Sequence, residues 1–565
     1  MPDQPPLARS TITDLFNAPN SPFSVPDSTQ EDFNREPGIQ AIGFIGEHSA
    51  MAWLHRLKSI LEQDPITSSS PLGHFNAPSF SSVDYYENGY EIDVREDLDV
   101  FERPKQAEVD ELIDIYFQVI HPSFPIIGKA TFLAQYRSLY SNPTARPGRQ
   151  WLAVLNFIFA IATTHFSPKR ETTVCDRQIR RAYFSRGWIL SIDKTSLREH
   201  ANLQQVQAEG LASFYLLSVG QVNRSWKSCG TAIRSALAMG LHLRNESQIP
   251  LASKEIRYRV WWALYMLDTS LSELTGRPPS VERGFCTTPL PIPFEEESLY
   301  TGPFRKYVQD VASEFTEDES SYRQSSRKRA LDEGEKNAIL IPEYPPPSNS
   351  LCFWFAMSLS MIKREVIESL YAPSAPQKQW GILELAISSL NTKVDTWIAS
   401  LPASYNFQTA GKPISSNRHS ANLAFQYYCT KILITQPCLR QLMHSSEAPK
   451  SPELSYDSTP GICIHAAIQM IELLPNQPNL TWLYGLFPWW SALQYIVQAI
   501  TIMLTGSFLR SKFGSLCHVG IPQRVRKAQE WLKELCKVHV SARKAWLMFS
   551  DIISSHGARL GFPDS

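Results

Sequence analysis

Residues 254–281 read KEIRYRVWWALYMLDTSLSELTGRPPSV and indicate the fold more clearly than any other stretch. Apolar residues recur here at intervals of three and four, the spacing of one face of an α-helix; they are Ile256, Val260, Leu264, Leu267, Leu271 and Leu274. Gly276 and the Pro278-Pro279 pair then end the run, because glycine adopts the left-handed conformation at helix C-termini and proline cannot continue a helix. The stretch therefore predicts a buried helix over about 254–275.

Similar periodic runs occur on both sides of this helix. The first begins at Glu108 and ends at His121-Pro122, and others lie at about 151–166, 203–222, 226–241, 382–400, 420–443, 461–474, 489–505 and 523–552. No segment of any length alternates apolar and polar residues in the manner of a half-exposed strand. The sequence therefore predicts an all-α protein with a large multi-helix core.

Composition divides the chain into five parts. Residues 1–40 hold seven prolines among small polar residues, a composition that buries too little apolar surface to offset the entropy of ordering, so we predict a disordered tail. Residues 301–350 are charged and then proline-rich, which predicts a disordered insertion. The other parts are a short apolar element with a linker (41–107), a first helical block (108–300) and a second helical block (351–555).

The charge balance and the cysteines limit the class of protein. The chain has 54 basic and 55 acidic residues, so it has no overall positive field that would hold a phosphate backbone. Nine cysteines, none before Cys175, are typical of a reducing compartment. The uncharged stretch 473–509 is long enough to cross a membrane, but Pro488, Gln494 and Gln498 interrupt it. We therefore expect a buried helix there and no membrane span.

The sequence contains no recognised catalytic or cofactor motif. HExxH, GxSxG and a phosphate-binding glycine loop are all absent, so we predict no enzyme activity, no catalytic residue and no cofactor. A two-zinc cluster needs six cysteines with CxxC pairs, and the chain has no CxxC. The nearest metal-like set is Cys517, His518, Cys536 and His539. Because Cys536 and His539 are predicted to share an amphipathic helix, we expect core residues there and no metal site.

Two further charged features stand out. Asp268 lies within an apolar helix and, among the acidic residues, is the candidate for burial; a structural ion pair is a simpler interpretation than acid–base chemistry. Arg327, Lys328 and Arg329 form a basic run within the predicted insertion. This run has two open interpretations: recognition by nuclear import receptors, or a solvated cluster that balances the acidic residues before it.

Several segments resemble the fungal-specific transcription factor domain, also called the middle homology region. EVDELIDIYFQVIHPSFPIIGKATFLAQY (108–136) is similar to the opening of that domain, and AIRSALAMGLHLRNES (232–247) together with 254–281 resembles its most recognisable part. GFIGEHSAMAWLHRLK (43–58) is similar to a short element that often precedes it, so the resemblance covers about 41–550. The residues that match the family motifs, for which the resemblance implies structural roles, are Phe124, Pro125, Trp261, Trp262, Asp268, Gly276, Arg277 and Pro278.

The resemblance implies a nuclear regulator that controls a metabolic or biosynthetic gene set through its helical domain. Family members usually carry a six-cysteine zinc cluster upstream, which is not found here, so we expect DNA contact to be indirect or to depend on a missing N-terminal module. Expected partners are other transcription regulators or a second copy of the chain, and a small-molecule effector is left open. Two alternatives remain: a co-regulator that heterodimerises with a complete family member, and a helical enzyme or small-molecule binder with an unrecognised site.

Overall fold

A computed structural model of the protein describes residues 42–63, 83–142, 144–165, 174–192, 200–244, 249–299, 347–372, 379–408, 417–444, 458–513 and 520–562. These residues form 16 α-helices and no strand, which confirms the all-α prediction. The tail 1–40 and nearly all of the insertion 301–350 lie outside the described residues. The helices are α1 Ala50–Gln63, α2 Gln106–Ile115, α3 Lys129–Ser141, α4 Arg149–Ala162, α5 Val174–Ser191, α6 Leu203–Ser218, α7 Val222–Ala238, α8 Leu251–Thr275, α9 Asn349–Leu370, α10 Trp380–Ala399, α11 Arg418–His444, α12 Thr459–Glu472, α13 Leu480–Leu486, α14 Trp489–Phe513, α15 Ile521–Leu535 and α16 Val540–His556.

The ends of the helices follow local rules that the sequence contains. Gly276 ends α8 in the left-handed conformation (φ 72°), and its N–H donates to the carbonyl of Ser272. A π-helical turn, Tyr116–Ile120, extends α2 as far as His121, where Pro122 cannot donate the next backbone hydrogen bond. The predicted run 523–552 is divided into α15 and α16 by the short link 536–539.

The helices pack as two groups joined through α8 and α9. In the first group α4 packs on α5 and α6, and α6 packs on α7; in the second α11 packs on α9 and α12, and α12 packs on α14. Helix α8 contacts both α7 and α9, and α1 packs against α14. Large side chains such as Trp261, Phe157 and Phe355 are fully buried, and each contributes about 1.5–3 kcal/mol through removal of apolar surface from water.

Helix α14 is long and strongly apolar. Among the described residues, its segment Trp489–Ser511 has the length and hydropathy that a membrane span requires, and its most apolar 18-residue window is completely buried inside the protein. Gln494, Gln498, Thr501 and Thr505 are buried with it. This environment is typical of the central helix of a packed core, as we expected from the polar residues within the stretch.

Candidate functional site

The last two turns of α8 hold two buried acidic residues, each paired with a base on α9. Asp268 is 1% exposed and accepts from Arg364 Nη2 at 2.7 Å, from the Ser280 backbone N–H at 2.9 Å and from the Ser280 hydroxyl at 2.9 Å. Arg364, which is completely buried, also donates to the Thr269 hydroxyl and to the Val281 carbonyl. Asp268 is therefore a structural ion-pair partner that joins the two helical blocks.

Glu273 is one turn further along α8, at a point where four helices meet. Its carboxylate accepts from Lys363 Nζ of α9 at 2.6 Å, from the Cys429 thiol of α11 at 2.7 Å and from Gln494 Nε2 of α14 at 3.0 Å. Burial alone would raise the pKa of Glu273, but Lys363 and the thiol hydrogen bond outweigh it and the pKa is lowered. The carboxylate is therefore ionised at neutral pH.

Lys363 carries the matching positive charge. Burial by itself lowers the pKa of this ammonium, whereas the neighbouring Cys429 and Glu273 raise it more strongly, so its pKa is above the ordinary value. Burial also raises the pKa of the Cys429 thiol well above its usual range, which keeps the thiol protonated as a hydrogen-bond donor. The site thus contains one buried ion pair with no net charge.

A cavity of about 130 Å³ opens beside this ion pair. Its walls come from both helical blocks, and Glu273, Lys363, Gln494 and Tyr495 contribute polar groups to them. The rest of the wall is mixed. Its larger apolar and aromatic side chains are Phe124, Phe214, Leu217, Met266, Phe353, Leu359, Phe487 and Trp490, and its other polar side chains are Ser123, Thr269, Ser270, Ser360, Asn422, Gln426 and Ser491. An interface between blocks that combines aromatic walls with convergent polar groups is a common environment of a small-molecule site.

Residues 42–49, which we call the N-terminal strap, pack against the same end of α8. The Gly46 N–H donates to the Thr275 carbonyl at 3.1 Å, and the His48 Nε2–H donates to the Ser272 carbonyl at 3.0 Å. A Cβ atom on Gly46 would lie 1.9 Å from the carbonyl oxygen of Gly276. Only glycine at both positions permits this backbone approach.

Arg277 fastens the strap to the core. Its Nε donates to the Phe44 carbonyl at 2.9 Å and its Nη2 to the Ile42 carbonyl at 3.1 Å, while its guanidinium lies 5.0 Å from the centre of the Trp226 ring. These contacts bring together residues that are more than 230 positions apart in the sequence. The last turn of α8 therefore contacts both the strap and the cavity.

Comparison with known proteins assigns the chain to a family. Residues 113–399, more than half of the chain, match the sequence profile of the fungal specific transcription factor domain. The chain belongs to this family. The matched range contains the whole of α8 and α9, and so both buried ion pairs of this fungal transcription factor domain.

Several curated relatives of this family member are named as transcription regulators. It is 27% identical to the Transcription regulator galc of Aspergillus niger, over 95% of this chain and 70% of that protein. It is 24% identical to Sorbicillinoid biosynthetic cluster transcription factor 2 of Penicillium rubens, over 73% of this chain and 56% of that protein. It is 25% identical to Transcription factor FBD3 of Fusarium pseudograminearum, over 73% of this chain and 51% of that protein. The chain thus spans little more than half the length of the latter two relatives. No solved structure matches it.

The family-motif aromatic residues lie in the core of the fungal transcription factor domain. Phe124 stacks on Phe214 at 4.6 Å between ring centres and lines the cavity. Trp261 is completely buried, with its indole N–H directed at the Cys286 sulfur at 3.2 Å. Trp262 donates its indole N–H to the carbonyl of residue 289 at 2.8 Å.

The two motif prolines occupy different environments. Pro125 is buried and lines a second, smaller cavity, whereas Pro278 is exposed directly after the strap contact. Pro278 therefore stops the helix without being part of the core. Phe124 thus lies at the cavity, whereas Gly276 and Arg277 contact the strap.

Only half of the metal-like set, Cys536 and His539, lies within the described residues. The prediction that these two share a helix is wrong: Cys536 follows the end of α15 and His539 precedes α16, because the helix breaks between them. His539 stacks on Trp489 at 3.9 Å and hydrogen-bonds the Tyr484 hydroxyl. Cys517 and His518 lie outside the described residues. Within the described ranges, no group of three or more His, Cys, Asp or Glu side chains is placed to hold a metal ion.

The basic run Arg327, Lys328 and Arg329 also lies outside the described residues. Sequence reasoning about the domain missed Glu273, Lys363, Gln494 and Tyr495. One signal was present: Lys363 and Arg364 are consecutive basic residues that directly follow the mainly apolar run 351–362 of α9. Charges in such a position are buried only with partners, but the sequence does not show which acidic residues those are.

Proposed function

We propose that the chain regulates transcription of a fungal metabolic or biosynthetic gene set, and that its helical core is the regulatory domain. The observation that carries this proposal is the family match over residues 113–399, together with similarity over 95% of the chain to a protein named as a transcription regulator. A relative named for a biosynthetic cluster supports the class of target genes.

The chain acts in the nucleus with partner regulators or as a homodimer, and it reaches promoters indirectly, through a partner that binds DNA. The charge balance supports this route, because proteins that bind DNA specifically neutralise several phosphates with Lys and Arg, whereas 54 basic residues here are offset by 55 acidic ones. Import through residues 327–329 fits the same proposal, since receptors read exposed basic runs.

The geometry at the end of α8 supports a relay within the domain. Ser272 accepts from His48 of the strap, and the next residue, Glu273, forms the ion pair beside the cavity. One helical turn therefore contacts both the N-terminal strap and the ion pair beside the cavity. A change in the cavity that displaces this turn would also displace the strap contact, because consecutive residues make the two contacts.

The test fuses the full chain to a heterologous DNA-binding module and measures a reporter gene with the matching operator. We expect reporter output to differ from that of the module alone, and the isolated chain to leave short duplex DNA unshifted at submicromolar concentration. A fusion that is expressed, nuclear and silent on varied carbon and nitrogen sources would refute the regulatory function. Salt-sensitive DNA binding by the isolated chain would refute only the indirect route.

A further inference from the structure

Two buried polar groups beside the cavity have hydrogen-bonding capacity that the protein does not use. The Tyr495 side chain is 9% exposed, and no described residue hydrogen-bonds to its hydroxyl. Lys363 is 8% exposed and donates one proton to Glu273 at 2.6 Å; its other neighbour is the Cys429 sulfur at 3.9 Å, which is a weak acceptor. Both residues line the cavity. Polar groups that face a cavity in this way can hydrogen-bond to a water or a ligand inside it.

We propose that the cavity between the helical blocks binds an uncharged organic molecule that has an aromatic or alicyclic ring and a carbonyl or hydroxyl oxygen, the oxygen bonding to Lys363 and Tyr495. The inference rests on the proposed function in one respect: such a molecule would be the effector of the regulatory domain. The site itself is defined by the geometry of the cavity.

Electrostatics favours an uncharged ligand. Glu273 already neutralises Lys363 at 2.6 Å, so the site offers hydrogen-bond donors without net positive charge. A ligand carboxylate placed at Lys363 would also lie close to the Glu273 carboxylate, and like charges repel strongly in a buried site. An uncharged carbonyl or hydroxyl oxygen accepts the same hydrogen bonds without that repulsion.

The walls favour a ring. Phe124 and Phe214 stack on each other, and Trp490 meets Phe214 edge to face at 4.9 Å between ring centres. These aromatic side chains all line the cavity, and they form a rigid apolar surface against which a planar or alicyclic molecule packs. The volume of about 130 Å³ is close to that of an apolar cavity of about 150 Å³ that binds benzene, so the expected ligand has one ring with small substituents.

The test uses two isomeric compounds of about this size. 4-Hydroxyacetophenone is uncharged near neutral pH, whereas 4-methylbenzoate is an anion. Each is titrated into the purified full chain by ligand-observed NMR. We expect a Kd of about 1 mM or tighter for 4-hydroxyacetophenone and binding at least about tenfold weaker for 4-methylbenzoate, which corresponds to one lost hydrogen bond or more.

Two variants locate the binding. Tyr495→Phe removes only a hydroxyl that no described residue bonds, so it leaves the fold intact, and it should weaken 4-hydroxyacetophenone binding by about three- to tenfold. Ala356→Leu places a larger side chain of α9 in the cavity and should weaken 4-hydroxyacetophenone binding further. The matched control is Tyr428→Phe, a partly buried tyrosine of α11 that does not line the cavity, and it should leave the Kd unchanged.

The outcomes separate this proposal from the proposed function. Absence of 4-hydroxyacetophenone binding, equal or tighter binding of 4-methylbenzoate, or an unchanged Kd in Tyr495→Phe would each overturn the assigned ligand class and site. The titration does not depend on transcription. A silent reporter fusion with normal binding would thus refute the regulatory function alone, and an active fusion without binding would refute the cavity proposal alone.

Discussion

Removal of Arg364 tests whether the stability of the packed helical blocks depends on the buried ion pair between Arg364 and Asp268. In Arg364→Met, the Asp268 carboxylate, 1% exposed, keeps only its two hydrogen bonds from Ser280 and loses its positive partner at 2.7 Å. The Val281 carbonyl also loses its donor at 2.7 Å. Breaking a buried ion pair by deleting one partner costs about 3–5 kcal/mol, because an uncompensated charge remains inside the protein.

The assay is urea denaturation of the full chain followed by tryptophan fluorescence, with the free energy of unfolding compared between variants. The matched control is Lys393→Met, which breaks the ion pair with Glu365 near the same end of α9; Lys393 is 46% exposed, so its removal should cost less than about 1 kcal/mol.

A double-mutant cycle identifies the cause of the loss. If the stranded Asp268 charge causes the destabilisation, Asp268→Asn combined with Arg364→Met should be less destabilising than the sum of the single changes, by about 1–3 kcal/mol. The reasoning fails if Arg364→Met costs no more than Lys393→Met, or if the two changes are additive. Either result would show that the pair contributes nothing specific to the junction of α8 and α9.

Three further predictions follow from the strap, the buried histidine and the basic run. Gly46→Ala places a Cβ 1.9 Å from the Gly276 carbonyl oxygen and should destabilise by about 1–3 kcal/mol in urea denaturation, whereas Gly381→Ala, in open space, should stabilise slightly; equal effects would contradict the strap contact. Burial lowers the pKa of His48 from 6.5 to about 4, so the unfolded chain takes up a proton first and stability should fall from pH 6.5 towards pH 4. His48→Gln should reduce the pH dependence of the free energy of unfolding. An unchanged pH dependence in this variant would contradict the assigned role of His48. Alanine at residues 327–329 should lower the nuclear fraction of a fluorescent fusion; an unchanged fraction would leave the run as a solvated cluster.

The sequence predicted features that depend on neighbouring residues along the chain. Apolar spacing of three and four placed α8 close to its observed bounds, and Gly276 marked its end, because helix periodicity and capping involve residues only a few positions apart. The family resemblance likewise rests on contiguous segments. Prediction failed at Cys536 and His539, where the periodic pattern continued across a helix break.

The tertiary structure alone decided the site. Glu273 meets Lys363, Cys429 and Gln494, which lie 90, 156 and 221 positions away in sequence. Gly46 meets Gly276 at the end of α8 although it lies far upstream in the sequence. Local spacing holds no information about such pairs, because a buried charge requires a partner but does not determine which one. The sequence therefore determined the helices and the family, while the packing of four helices determined which charges pair and where the cavity forms.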